Sequence, residues 1–104
     1  MSYDVKVRAF GRKMIERLEA NADRGGWRTR DPEKILPYLK ELRDLTNVLE
    51  AAVKYGDFEK GGIAPEHADA ILTNCADIAN LGLIVAENCG TIKYTDEDMG
   101  IMDR

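Results

Sequence analysis

Apolar residues recur at three- and four-residue steps along most of this chain, and two glycine pairs, Gly25-Gly26 and Gly61-Gly62, break the pattern into three segments. That step is the period of a helix with one buried face, so the pattern constrains the chain to an all-α fold. No stretch alternates apolar and polar residues strongly enough to predict a sheet, and no internal repeat is evident. The 104 residues make a single domain, residues 1–104. A chain of this size buries only an intermediate fraction of its unfolded surface, so self-association would add stability.

The first segment, residues 3–21, places Val7, Phe10, Met14 and Leu18 on one face. Gly11 weakens that helix without forbidding it. Residues 21–30 lose the period and read as a loop. Asp31-Pro32-Glu33 then restarts structure with an N-cap residue, a proline at the first helical position and an acid in the first turn. The second stripe is Ile35, Leu39, Leu42, Leu45 and Leu49, widened by Leu36 and Val48, and it runs to Lys54 or Tyr55 before Gly56. Pro37 lies inside it and cannot donate a backbone hydrogen bond, which predicts either a bend near the first turn or a start delayed to Pro37.

Pro65 opens the third segment, whose inward positions are predicted as Ile71, Cys75, Ile78, Gly82, Val85 and Cys89, with Gly90 as the C-terminal stop. The small residues Cys75, Ala79 and Gly82 would let another helix approach closely. Leu81, Leu83, Ile84 and Val85 make this helix apolar almost all round, as expected of a helix at the centre of a bundle or at a subunit interface. Residues 91–104, with Asp96-Glu97-Asp98, form a short acidic tail expected to hold a brief helical turn or to fray.

Charge and cysteine content narrow the function classes. Nineteen acidic against 15 basic residues leave a net charge of −4, which argues against general nucleic-acid binding, because phosphate backbones recruit basic surfaces. Cys75 and Cys89 are too far apart along one helix to bridge to each other, and no second pair suggests a disulfide framework, so a reducing cytoplasm fits. The N-terminus lacks an apolar core of the signal-peptide kind, and no apolar run is read as a membrane span.

Two helical stretches each carry a pair of metal-capable oxygen side chains three residues apart: Glu41 with Asp44, and Asn74 with Asp77. Residues so spaced are neighbours on a helix surface, so each pair can converge on one ion. Two such helices packed face to face would build an oxygen-lined Mg²⁺ or Mn²⁺ site inside a bundle. Asp77 falls among Cys75, Ala76, Ile78 and Ala79, where a charge needs compensation. A cation would supply it; so would an arginine or lysine from a neighbouring helix. The loop that carries Arg24, Gly25, Gly26, Trp27, Arg28 and Arg30 could grip phosphates and offer an indole surface to a base, or Trp27 could plug the bundle end while the arginines face water. His67 is a lone histidine near a helix start, and without clustered Cys or His a zinc site is not expected. Gly61-Gly62 is not followed by the Lys-Ser or Lys-Thr of a Walker loop.

Taken in order, residues 21–27 (Asn-Ala-Asp-Arg-Gly-Gly-Trp), 39–45 (Leu-Lys-Glu-Leu-Arg-Asp-Leu) and 74–80 (Asn-Cys-Ala-Asp-Ile-Ala-Asn) resemble the motifs of the MazG-like branch of the all-α nucleoside triphosphate pyrophosphohydrolases. The likeness covers about residues 8–90. That family has a Lys-Gly-Gly-Trp-like loop, then Glu-Glu-x-x-Glu on one helix and Glu-x-x-Asp followed by Val-Ala-Asn on another. The resemblance implies an antiparallel helical bundle that forms a homodimer or homotetramer, and a Mg²⁺- or Mn²⁺-dependent cleavage of a nucleotide between its α and β phosphates. Position by position, Lys40 replaces the first Glu, Glu41 is kept, Asp44 shortens the third, Asn74 replaces the Glu of the second motif, and Asp77 and Asn80 match.

By the resemblance Glu41, Asp44, Asn74 and Asp77 hold the metal, and Glu41 orients or deprotonates the attacking water. Arg24, Trp27, Arg28, Lys40 and Asn80 bind the nucleotide. A second reading keeps the bundle and the arginine-tryptophan loop but captures a nucleotide or nucleotide-like signal without cleaving it, with Lys40 as a phosphate ligand. A third is a helical scaffold with no ligand, in which Asp77 is simply paired.

Overall fold

A computed structural model describes residues 1–22, 31–55 and 65–102. The elements are α1 (Tyr3–Ala20), α2 (Pro32–Tyr55), α3 (Pro65–Asn88) and a short α4 (Asp96–Met102), and no strand occurs among the described residues. The all-α expectation holds. The loop residues 23–30 and 56–64 lie outside the described residues, and with them Arg24, Trp27, Arg28 and both glycine pairs.

Local chemistry sets the helix ends. The Ser2 side chain accepts from the Val5 backbone N–H at 3.4 Å and starts α1. At its other end Asn21 donates twice to the Arg17 carbonyl oxygen, from its side-chain amide at 2.9 Å and from its backbone N–H at 3.1 Å, which fixes the last turn. Asp31 caps α2, its carboxylate accepting from the Glu33 N–H at 3.0 Å, and Pro32 is the first helical residue. α2 continues through Pro37, so the delayed start is not adopted; the Asp31 cap and Pro32 nucleate the helix one turn earlier. α3 ends in a complete Schellman motif. Gly90 has φ 68°, its N–H donates to the Glu87 carbonyl at 3.0 Å, and the Thr91 N–H donates to the Ala86 carbonyl at 3.1 Å. The acidic tail is ordered further than a single turn: Thr95 caps α4, with the Asp98 N–H donating to its hydroxyl and Asp98 accepting from the Thr95 N–H at 2.9 Å.

α3 packs against both α2 and α1. The buried apolar residues among those described are Ile35, Ala76, Leu81 and Ile84, and Asn80 and Asn88 are buried with them. The inner face of α3 is therefore built on Ala76, Asn80, Leu81, Ile84 and Asn88. The predicted inward stripe needs correction: Gly82 and Cys89 are exposed, and Ile71, Cys75, Ile78 and Val85 are half-buried. Those six residues follow a true helical period but flank the most buried face of α3 instead of forming it. The inner face was hidden because two of its five residues are asparagines, whose amides make the burial possible: Asn80 donates to the Met14 carbonyl and Asn88 to the Ile84 carbonyl, each at 2.9 Å.

α1 is corrected in the same way. None of its residues is fully buried, and Val7 is 69% exposed, because its bonds to α3 come from Lys13, Met14 and Arg17, in its second half. α3 also revises the membrane expectation, since His67–Asn88 is long and apolar enough by length and composition to cross a bilayer. The central helix of a bundle has the same composition, and α3 occupies that position.

Candidate functional site

A cleft of about 350 Å³ opens where the C-terminal end of α1 meets α2 and α3. Its apolar wall comes from Leu45, Leu81 and Ile84, and its polar groups are Arg17, Glu19, Asn21, Glu41, Asp77 and Asn80. Helix geometry explains the grouping on α3, since Asp77, Asn80, Leu81 and Ile84 recur at steps of three, one and three along one side. Glu41 and Leu45 come from α2 at the spacing that puts both on one face.

Arg17 and Asp77 form the dominant polar contact. The Arg17 Nε donates to Asp77 Oδ1 at 2.9 Å and Nη2 to Oδ2 at 3.2 Å, a two-pronged pair in which the side chains are 31% and 22% exposed. The hydrogen bond to Asp77 raises the pKa of the Arg17 guanidinium above its ordinary value, against a smaller lowering by burial. Asp77, predicted to need compensation, finds it in an arginine of a neighbouring helix. Beside it, Asn80 spends its amide N–H on the Met14 carbonyl while its Oδ1 is buried with no hydrogen-bond partner. A buried amide oxygen without a donor is costly, and it marks a place where a ligand N–H, a hydroxyl or a cation would be welcome.

The structure thus brings Glu41, Asp77 and Asn80 to one cleft from two separate sequence motifs. Asp44 and Asn74 do not border it, Asp44 being exposed and Asn74 half-buried, and Lys40 is exposed on α2. No cluster of three or more Asp, Glu, His or Cys side chains occurs among the described residues. Arg24, Trp27 and Arg28 lie outside those residues. The donor chemistry of the cleft, the carboxylates of Glu19, Glu41 and Asp77 and an unsatisfied amide oxygen, is that of a hard, oxygen-seeking cation's ligands. The present engagement of both Asp77 oxygens by Arg17 means that such a cation has a competitor there.

Arg17 itself escaped sequence reasoning. The signal was available: once Asp77 is judged to need a counter-charge, the candidates are cations that flank another helix's apolar stripe, and Arg17 sits directly beside Leu18. Which of Lys13, Arg17 and Arg43 it would be depends on the crossing of the helices, which periodicity does not give.

No protein-family model matches the chain, and no curated protein and no solved structure matches it.

Proposed function

We propose that the protein is a divalent-cation-dependent nucleoside triphosphate pyrophosphohydrolase of the MazG-like, all-α type, built on an antiparallel bundle and releasing a monophosphate and pyrophosphate. The observation that carries this reading is the convergence of Glu41, Asp77 and Asn80 on one cleft, although they come from two motifs on different helices. In this reading Glu41 and Asp77 would hold Mg²⁺ or Mn²⁺, while Asp44 and Asn74, one turn further along α2 and one turn back along α3, do not border the cleft and have no ligand role. The bound ion supplies neutralisation of phosphate charge and a water of lowered pKa. With the ion in place, Glu41 would be the residue to orient or deprotonate the attacking water. Arg24 and Arg28 hold the triphosphate, Trp27 contacts base or sugar, Lys40 adds positive charge at the phosphates, and Asn80 Oδ1 accepts from the ligand.

The test is incubation of the pure protein with a panel of ribo- and deoxyribonucleoside triphosphates and Mg²⁺ or Mn²⁺, with products resolved by chromatography. Monophosphate and pyrophosphate that disappear in an Asp77→Ala control support hydrolysis. Intact nucleotides under every condition overturn it.

One observation favours a second reading, capture without cleavage. Arg17 already neutralises Asp77, so that carboxylate needs no metal to compensate it. Nucleotide bound in EDTA and recovered unchanged would select this reading.

Self-association belongs to the same proposal. The chain exposes 8282 Å², against about 5,800 Å² for a compact monomer of its mass. Its radius of gyration is 16.0 Å, where about 13 Å is usual at this length. The surplus surface exceeds the roughly 800 Å² per partner of a standard interface. The exposed Leu36, Val48 and Leu72, with the half-buried Ile71, Ile78 and Val85 of α3, are apolar surface that a second copy would cover.

A further inference from the structure

We propose that Arg17 and a divalent cation compete for Asp77, and that Arg17, once displaced, becomes a phosphate ligand of the cleft. The inference rests on the cation-dependent reading of the cleft and adds a residue to which that reading gave no role.

Four observations lead to it. The Arg17 fork spans both oxygens of Asp77 at 2.9 and 3.2 Å, so a cation approaching that carboxylate meets a like charge already seated on it. Arg17 also borders the cleft and is 31% exposed, so a guanidinium leaving Asp77 has the cleft beside it. It belongs to the last turn of α1, whose end is held by the Asn21 side chain on the Arg17 carbonyl. The backbone is thereby anchored while the side chain keeps its rotamers. Finally, the buried and unpartnered Asn80 Oδ1 on the same wall shows that the polar groups of the cleft are not all satisfied by the chain itself.

The identity of the residue matters. A planar guanidinium matches a carboxylate and a phosphate with the same two-pronged geometry, so Arg17 can exchange one anionic partner for the other without losing either hydrogen bond. Without ligand it neutralises Asp77, one of the three carboxylates that line the cleft, and so lowers the repulsion an anionic substrate meets there. With a cation on Asp77, the freed positive charge lies beside the phosphates the cation carries in. Binding of metal and phosphate is therefore cooperative through one side chain.

The test is titration of Mn²⁺ alone into the full chain, read by isothermal titration calorimetry, for the wild type, Arg17→Gln, Arg17→Lys and Asp77→Asn, each checked for native helicity by circular dichroism. Removing the competing charge should tighten Mn²⁺ binding by about tenfold in Arg17→Gln. Arg17→Lys, which loses the fork but keeps the charge, should tighten it less, and Asp77→Asn should abolish it. With Mn²⁺ saturating, inorganic triphosphate should bind Arg17→Gln more weakly than wild type. A folded Arg17→Gln with Mn²⁺ affinity no higher than wild type overturns the competition; if that variant fails to fold, an unchanged affinity in Arg17→Lys does the same. Nucleotide turnover by the wild type with an unchanged Arg17→Gln affinity would remove this inference and leave hydrolysis standing. Intact nucleotides with an Arg17-dependent Mn²⁺ affinity would do the reverse.

Discussion

Breaking the Arg17–Asp77 pair should reveal how much of the α1–α3 junction depends on it, and the structure bounds the answer. Exposed ion pairs contribute about 0–1 kcal/mol, whereas removing one partner of a fully buried pair costs about 3–5 kcal/mol. This pair has two hydrogen bonds but side chains still 31% and 22% exposed, so solvent screening brings the coupling down to about 1–2 kcal/mol. A cycle of Arg17→Gln, Asp77→Asn and the double variant isolates that coupling. Urea unfolding followed by circular dichroism measures it, at one fixed protein concentration because association shifts apparent stability. Each single variant should melt about 5–15 °C lower, taking roughly 4–8 °C per kcal/mol for a domain of this size. In 1 M salt, where the Debye length is about 3 Å, the coupling should shrink without vanishing. A coupling under about 0.3 kcal/mol would show that the fork is not formed in solution, and the competition for Asp77 would lose its basis.

Other consequences are open to direct measurement. Gly90→Ala places a Cβ at φ 68° and should cost about 1 kcal/mol in urea unfolding, with the damage confined to the end of α3. Asn80→Asp removes the donor to the Met14 carbonyl and sets a carboxylate against it, so the variant should lose about 1–3 kcal/mol; equal stability would mean that the amide is not bonded as described. The Thr95 backbone N–H, and then the Thr95 side chain, hold the Asp98 carboxyl below its ordinary 3.8. A lowered folded value stabilises above the unfolded one, so the start of α4 should be intact at neutral pH and fray as the pH falls below 3.8 and through the lowered value. Loss of protection of the Thr95 amide in NMR would report it. Gly82→Glu enters open space on an exposed part of α3 and replaces a poor helix former with a good one, so each chain should gain a few tenths of a kcal/mol in helix stability. Light scattering should nevertheless show a smaller assembly; an unchanged mass would take the stripe of α3 through Ile78, Gly82 and Val85 out of any interface.

Much of the fold is local and was legible for that reason. The Asp31 cap, Pro32 at the first position and Gly90 at the stop act within one turn, and α2 and α3 begin and end within two residues of where those signals place them. Of the two outcomes open at Pro37, the delayed start fails because the Asp31 cap and Pro32 begin the helix first, and the proline then costs α2 a single hydrogen bond, to the Glu33 carbonyl. The convergence of Glu41 with Asp77 could be guessed from two motifs, but the guess extended to Asp44 and Asn74. Whether neighbours three apart both reach one cleft depends on how the helices are rotated about their axes. Spacing along one helix does not contain that angle.

α3 shows the limit most clearly. Its sequence carries two faces of helical period, one through Ile71, Ile78 and Val85 and one through Ala76, Leu81 and Ile84, and hydropathy favours the first because the second includes two asparagines. Burial follows the second face, where Asn80 and Asn88 find backbone carbonyls to bond. The better apolar stripe is thus left only half-shielded, with Ile71, Ile78 and Val85 neither fully buried nor open. The polar inner face is the one that borders the cleft with Asp77 and Asn80. The face that packing selects is therefore the one on which an asparagine can give its amide to a carbonyl of α1, and that selection is what brings Asp77 and Asn80 to the cleft.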